Sequence, residues 1–333
     1  MRRCIQLAEV GLGTTYPNPL VGAVVVYYDK IIGEGYHRQS GQPHAEVLAI
    51  EQVKDKSILA QCTLYVNLEP CNHHGKTPPC TEFIIKSGIK TVYVGQNDPN
   101  PLVNGKGIEM LQKNGIEVHQ GILEQECKCL NIRFNTYHTQ LRPYIVLKWA
   151  QSPGGYISKH DTVKMQISNT YSNIYVHKWR SQEQSVMVGY NTALADNPQL
   201  NVRHWTGNQP TRVVIDYDLS LPAHLHVFDQ SVPTIIINKI KNETKGYIIY
   251  SQIDTFTDIV QRLYEHKIIS VLVEGGAKIL NQFINNNIWD EARVIVGNVA
   301  IHSGIEAPII HYQYTHKKDI MGDLLYIYQN QYK

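Results

Sequence analysis

The chain has 333 residues, 43% of them hydrophobic and 18% charged, which suits a soluble globular protein of about two domains with packed cores. A formal net charge of +2 and the absence of any long Lys/Arg run argue against nucleic acid as the main partner, and no apolar run of about eighteen residues is present to span a membrane. The six cysteines, at positions 4, 62, 71, 80, 127 and 129, have no framework spacing, and Cys127-x-Cys129 is too tight for an ordinary disulfide. With Met1-Arg2-Arg3 leading into an amphipathic helix rather than an apolar leader, reduced thiols and a cytoplasmic location are expected.

The first helix is expected almost from Met1, with Cys4, Ile5, Leu7, Ala8 and Val10 as its apolar stripe and Gly11 and Gly13 ending it. Pro17-Asn18-Pro19 reads as a turn. Residues 21–27 form a mostly apolar strand and residues 31–35 its hairpin partner. A helix opens at His44-Ala45-Glu46 and runs to about residue 53, a strand follows at 63–68, and the helix holding Cys80 runs to Ser87 before Gly88. Residues 91–95 are a strand and Asp98-Pro99-Asn100-Pro101 a loop. Gly105-Lys106-Gly107 leads into a helix ending at Asn114-Gly115, and 116–118 is a short strand. Residues 124 to about 141 read as one helix, ended by Arg142-Pro143. Strands alternating with helices predict a mostly parallel sheet covered on both faces. The boundary falls at about Leu141, giving domains 1–141 and 142–333.

Chemistry concentrates between His44 and Cys80. His44-Ala45-Glu46 is followed, after the strand, by Pro70-Cys71-Asn72-His73-His74-Gly75-Lys76-Thr77-Pro78-Pro79-Cys80. One imidazole and two thiolates suit Zn²⁺, which accepts mixed N/S ligands, and three protein ligands leave the fourth tetrahedral position open, as in catalytic zinc sites. A structural zinc would take a fourth ligand, for which His73 and His74 are the candidates. Cys71 follows a strand where a helix is about to begin, and a helix N-terminus stabilises a thiolate. Water on such a zinc has a pKa near 7, and Glu46 is spaced to shuttle its proton rather than to share the metal. His-x-Glu with a later Pro-Cys…Cys is the zinc-deaminase signature.

The spacing of the cysteines narrows the reading. Cytidine and tRNA adenosine deaminases place two residues between them; here Asn72 to Pro79 intervene. The run Pro-Cys-x-His-x-Gly-Lys-Thr-Pro-Pro-Cys resembles the riboflavin-biosynthesis diaminohydroxyphosphoribosylaminopyrimidine deaminases. Pro17-Asn18-Pro19-Leu20-Val21-Gly22 and Gly33-Glu34-Gly35-Tyr36-His37 fit the same family. The resemblance implies a cytidine-deaminase-like α/β/α domain with Asn18 lining the pyrimidine pocket. In most bacteria it also implies a downstream reductase, with a dihydrofolate-reductase-like α/β fold, in the same chain.

The second half opens with a buried strand, Tyr144-Ile145-Val146-Leu147-Lys148-Trp149-Ala150, followed by Gln151-Ser152-Pro153-Gly154-Gly155. Such a reductase normally shows Ser-x-Asp-Gly here. Gly154 stands where Asp would cap the turn, which loosens the expected cofactor loop. A helix is expected over residues 174–180 and a strand over 185–189. Tyr190-Asn191-Thr192 then starts a short helix, a strand-Gly-Thr-helix arrangement whose N–H groups suit a dinucleotide. Asp196-Asn197-Pro198-Gln199-Leu200-Asn201-Val202-Arg203 matches the reductase Asp-x-Pro-x-Leu-x-Val-Arg run, and Arg180 and Arg203 are candidates to clamp a substrate phosphate. Strands are expected at 211–216, 234–238 and 247–250, a helix at 256–267 and strands at 292–296 and 324–329. Between these, Ser270-Val271-Leu272-Val273-Glu274-Gly275-Gly276-Ala277-Lys278-Ile279-Leu280 is a buried strand, a double glycine and a helix N-terminus, an anion-receiving turn. It lacks Gly-x-Gly-x-x-Gly and is not a Rossmann fingerprint, but it resembles the Glu-Gly-Gly turn of the same reductases.

The resemblance implies Leu200 and Glu274 beside the two arginines as substrate contacts. It implies Gln151, Thr192, Asp196, Gly276, Ala277, Lys278, Ile279 and Leu280 as NADPH contacts. It implies a small phosphoribosylated pyrimidine as substrate, Zn²⁺ and NADPH as cofactors, and a homodimer or homotetramer. The expected sequence of reactions is zinc-dependent deamination, then reduction of the ribosyl chain to ribityl. The alternative is a zinc deaminase whose downstream domain is inactive and only structural.

Overall fold

The computed structural model describes residues 1–75, 78–101, 103–159 and 165–331. Lys76 and Thr77, within the run between the two cysteines, lie outside the described residues. The chain divides into two compact units, Met1–Leu141 and Arg142–Lys333.

The first unit runs α1 (Arg2–Glu9), β1 (Gly22–Tyr27), β2 (Lys30–Tyr36), α2 (Ala45–Gln52), β3 (Thr63–Leu68), α3 (Cys80–Ser87), β4 (Thr91–Gln96), α4 (Lys106–Lys113), β5 (Glu117–His119), α5 (Glu124–Leu130) and α6 (Ile132–Gln140). Its five strands lie in the order β2-β1-β3-β4-β5. Successive side chains of a strand point to opposite faces. Ala23 and Val25 therefore join α2, α3 and α4 residues Ala49, Ile84 and Leu111 in one core, while Val24 meets Cys4 and Leu7 of α1 on the other face.

Two expectations need correction. The sheet is parallel only over β3-β4-β5, because β1 pairs antiparallel with both β2 and β3. The single helix expected over 124–141 is two helices, broken at Asn131. The Asn131 side chain accepts the Leu20 N–H at 2.8 Å and donates to the Leu20 carbonyl at 2.9 Å. A residue far along the chain thus pins the turn that carries Asn18.

The second unit runs β6 (Tyr144–Gln151), β7 (Tyr156–Ser158), α7 (Thr170–Gln182), β8 (Ser185–Gly189), α8 (Tyr190–Asp196), β9 (Thr211–Ile215), β10 (Thr234–Asn238), β11 (Glu243–Lys245), β12 (Ile248–Gln252), α9 (Asp258–Glu265), β13 (Ser270–Val273), α10 (Ala277–Asn285), β14 (Glu291–Val296), β15 (Ile305–Glu306), β16 (His316–Ile320) and β17 (Asp323–Gln329). Ten strands order as β11-β12-β10-β9-β8-β13-β6-β14-β17-β16, parallel from β12 to β14 and antiparallel at both ends. Residues of β6 feed two cores alternately: Ile145, Leu147 and Trp149 into one, Tyr144 and Val146 into the other. Strands buried on both faces read as continuous apolar runs, which is how they are visible in sequence. Helix α7 is longer than expected, because Asn169 caps it by accepting the Ser172 N–H.

Candidate active sites

In the first unit, two helix starts converge. His44 is the N-cap of α2 in extended conformation, Glu46 lies in its first turn, and Cys80 opens α3. The ligand atoms of His44, Cys71 and Cys80 all lie within 4.8 Å of one another. His44 Nδ1 is 3.2 Å from Cys80 Sγ and 3.5 Å from Cys71 Sγ, and the Cys80 main-chain N–H points to Cys71 Sγ. Hydrogen bonds from Cys80 and His44 hold the Cys71 thiol well below its ordinary value, with burial opposing them. The same bond to Cys71, together with burial, pushes Cys80 up.

This donor set fits zinc. It is one nitrogen and two sulfurs in a tight cluster, and beside it Glu46 is buried with Oε2 lacking any hydrogen-bond partner among the described residues. Burial raises the Glu46 carboxyl, as suits a group that must both take and give a proton. His74, a candidate fourth ligand, instead lies 3.2 Å from Glu82 on the surface, and among the described residues the candidate metal group is His44, Cys71 and Cys80 alone.

Asn18 is brought to this site through His37. Its Nδ2 lies 3.0 Å from His37 Nε2, and the His37 ring packs edge-on against His44 with centroids 5.0 Å apart. His37 is quoted in the sequence motif without a role. Glu69 belongs to no motif in the sequence, yet its two oxygens accept the main-chain N–H groups of Asp98, Gly105, Gly107 and Ile108. It thereby ties the start of α4 to the strand end that delivers Cys71. Burial, with the nearby Glu69 and Cys71 charges, lifts Asp98 to about 7.

In the second unit the ends of β8 and β13 are stitched together. The Glu274 N–H donates to the Met187 carbonyl at 2.9 Å and the Gly189 N–H to the Gly275 carbonyl at 3.0 Å. Thr192, Gly276 and Ile279 meet there: a Cβ on Gly276 would lie 3.1 Å from Thr192 Oγ1, and one on Gly189 would lie 2.6 Å from Ile279 Cγ1. Helix α10 has no side-chain cap, so its first-turn N–H groups, on Ala277 and Lys278, have no helical acceptor. Ile279 and Leu280 differ. Their N–H groups bond to the Gly276 carbonyl, and their side chains lie in the core. A glycine-lined turn against a helix N-terminus fits the phosphates of a dinucleotide.

The substrate candidates separate as well. Arg180 Nε and Nη2 donate to the two oxygens of Glu274 at 2.6 and 2.7 Å, and Nη1 donates to the Asn201 carbonyl at 3.1 Å. The structure thus places the Arg180 fork on Glu274. Arg203 is exposed, with Nη1 on Asn201 Oδ1 at 3.0 Å. Leu200 is buried in the core at positive φ. Asp196 is exposed at the end of α8, and Gln151 accepts the Trp149 indole N–H at 2.7 Å. Lys148 joins this site unannounced, a cation interacting with Glu274 and lowered by burial; the signal for it is a lone charge inside an apolar strand. The loop at Gly154 is closed without an Asp. The Ser152 carbonyl accepts the Gly155 N–H, and the buried Ser152 hydroxyl accepts the Tyr156 N–H at 3.1 Å.

Residues 1–96 match the family model for the cytidine and deoxycytidylate deaminase zinc-binding region, and residues 143–304 match the RibD C-terminal domain. The chain is a zinc-type deaminase joined to a reductase. It is 42% identical to the riboflavin biosynthesis protein RibD of Aquifex aeolicus, over 92% of this chain and 88% of that protein. It is 38% identical to that of Bacillus amyloliquefaciens, over 97% and 94%. Among solved structures, a Thermotoga maritima diaminohydroxyphosphoribosylaminopyrimidine deaminase/5-amino-6-(5-phosphoribosylamino)uracil reductase superposes with a TM-score of 0.90 at 38% identity, covering 99% of this chain and 97% of that one. Acinetobacter baumannii RibD superposes with a TM-score of 0.89 at 32% identity, covering 98% and 96%. The chain belongs to the RibD family, the bifunctional deaminase/reductases of riboflavin biosynthesis. Its cofactors are zinc and NADPH, and the inactive-reductase alternative is not favoured.

Proposed function

We propose that residues 1–141 deaminate 2,5-diamino-6-(5-phosphoribosylamino)pyrimidin-4(3H)-one and that residues 142–333 reduce the resulting 5-amino-6-(5-phosphoribosylamino)uracil to its ribityl form. The observation that carries the first half is the cluster of His44, Cys71 and Cys80 with, beside it, a buried Glu46 oxygen that has no partner among the described residues. His44, Cys71 and Cys80 would hold the zinc, which when bound would supply an activated water. Glu46, buried beside that site, would take up a proton at its carboxylate and pass it to the departing amino group. Asn18 orients the pyrimidine, and its contact with His37 fixes the amide.

In the second unit NADPH supplies the hydride. Thr192 and the turn from Gly276 to Lys278 hold its phosphates. Ile279 and Leu280 serve that turn by packing behind it, and Gln151 and Asp196 flank the cofactor. Arg203 takes the substrate phosphate, Leu200 shapes the same loop, and Glu274 faces the opened sugar with Arg180 holding it. The family resemblance supports a homodimer or homotetramer, which sedimentation tests. Six unpaired cysteines support a cytoplasmic location. Among the described residues, no helix is long and apolar enough to cross a membrane.

The test is a paired assay on the purified chain, following ammonia release and NADPH oxidation separately from the diaminopyrimidine phosphate. Both proceed in the native chain. Glu46→Gln keeps its zinc and stops both, and added deaminated intermediate restores NADPH oxidation alone. Ammonia release that persists in Glu46→Gln removes Glu46 from the proton relay.

A further inference from the structure

His177 sits in the middle of α7 and is fully buried. Its Nδ1 accepts the main-chain N–H of Arg203 at 3.2 Å. Its Nε2 has no hydrogen-bond partner among the described residues, so the bond to Arg203 is what the ring's polarity serves. The ring also packs edge-on against His204, with centroids 4.7 Å apart and planes at 90°. Three residues further along α7, on the same face, Arg180 donates to the Asn201 carbonyl. One face of the helix therefore grips the segment after α8 at two points. That segment leads directly into an open depression of about 610 Å³ lined by Arg203, His204, Trp205 and Thr206.

We propose that His177 is a positioning residue for the reduction: by accepting the Arg203 N–H and backing the His204 ring, it fixes the Arg203 side chain where the substrate phosphate binds. This rests on the reading of Arg203 as the phosphate ligand. Burial and the charges of Arg180 and Arg203 hold the His177 imidazole down to about 4, so its Nδ1 is a bare acceptor at neutral pH. Filling the core alone would favour an apolar side chain, which leaves no buried donor unmatched.

The experiment measures NADPH oxidation with 5-amino-6-(5-phosphoribosylamino)uracil in the full chain carrying His177→Leu, His177→Asn or Arg203→Ala, with inorganic phosphate as a competing probe. Losing one neutral hydrogen bond that orders the loop raises KM about fivefold with kcat little changed. Asn, whose Oδ1 takes the place of Nδ1, restores most of it. Phosphate inhibition weakens in His177→Leu in step with KM, and ammonia release is unaltered. An unchanged KM in His177→Leu, or Asn as impaired as Leu, overturns the proposal. Arg203→Ala separates the two claims. If it leaves KM unchanged, the phosphate reading fails and the proposal falls with it; if it raises KM while His177→Leu does not, His177 alone is rejected. Should Leu prevent the second unit from folding, His204→Ala removes the backed ring without touching α7. It must raise KM, and an unchanged value rejects the proposal.

Discussion

Arg180 holds Glu274 by two parallel hydrogen bonds, Nε to Oε1 at 2.6 Å and Nη2 to Oε2 at 2.7 Å, with both side chains about one-tenth exposed. A bidentate fork of this kind is the strongest arrangement available to an Arg–carboxylate pair. Burial by itself would raise the Glu274 carboxyl. The Arg180 charge and hydrogen bonds, with Lys148 and His177 adding to them, reverse the effect and hold it at about 2, against an ordinary 4.5.

A carboxyl depressed in the folded state contributes stability that is complete above its unfolded value near 4.5 and is lost as pH falls toward 2; a shift of that size corresponds to roughly 3 kcal/mol. All four tryptophans, at 149, 179, 205 and 289, lie in the second unit, so their fluorescence reports that unit alone. In urea titrations the native midpoint drops between pH 4.5 and 3. In Arg180→Met the largest force against burial is gone, the Glu274 carboxyl rises, and the drop shrinks or reverses. Parallel pH curves for the two proteins would sink the assignment.

Lys148 carries a second expectation. Its ammonium interacts with Glu274 and Arg180, and burial lowers its pKa, which makes it a better proton donor than a surface lysine. Lys148→Met is expected to slow NADPH oxidation about 100-fold or more, the range for losing a positioned acid–base group, while NADPH still binds. The separating measurement is NADPH affinity by fluorescence titration alongside single-turnover rate. Loss of cofactor affinity with an intact single-turnover rate would place Lys148 in binding instead.

The cluster of His44, Cys71 and Cys80 is legible in sequence because the chemistry of a zinc site confines its candidates to few residue types, set here within two short motifs. The buried strands are legible because burial on both faces writes continuous apolar runs. Other features depend on partners far away in the chain. Asn131 looks like an ordinary helix residue until Leu20 is seen to occupy its side chain. The direction of β1 against β3 depends on a crossover that no local pattern encodes. Arg180 reads as a free phosphate clamp because nothing near it in sequence announces Glu274. The missing Asp at 154 reads as a loosened loop because the Ser152 hydroxyl's bond to Tyr156 is visible only in three dimensions.

The turn proposed to hold the NADPH phosphates depends on close approach at Gly189. Its backbone, at φ −86°, is open to any residue, so the constraint is contact: an added Cβ would lie 2.6 Å from Ile279 Cγ1, behind the first turn of α10. Gly189→Ala must therefore push that turn away, at about 1–3 kcal/mol for overpacking. It is expected to raise the KM for NADPH about tenfold or more and to leave ammonia release intact. Gly276→Ala is milder, because its 3.1 Å neighbour is the Thr192 hydroxyl, which can rotate. Steady-state NADPH titrations of both variants check the order, and a Gly276→Ala defect larger than that of Gly189→Ala would contradict it.

Glu69 is the residue on which the delivery of Cys71 depends. Its Oε2 accepts from Asp98 and Gly105 and its Oε1 from Gly107 and Ile108, at 3.0 to 3.4 Å. The side chain is buried. Helix α4 has no side-chain cap of its own at Gly105, so Glu69 performs that task from the end of β3. Gly107 approaches so closely that a Cβ there would lie 2.1 Å from the Pro70 carbonyl oxygen, the residue before Cys71. Glu69→Ala leaves these donors without an acceptor and is expected to cost about 3–5 kcal/mol in the first unit. Glu69→Gln keeps one acceptor oxygen and falls between. Because the displaced segment carries Cys71, one of the proposed zinc ligands, zinc should leave Glu69→Ala at least about tenfold more readily, as for other groups that orient metal ligands. Zinc retention against a graded chelator, read beside ammonia release, makes the comparison. The tryptophan-monitored midpoint of the second unit serves as the unchanged control. Native zinc retention and an unchanged melt of the first unit in Glu69→Ala would show that Cys71 is placed by something else.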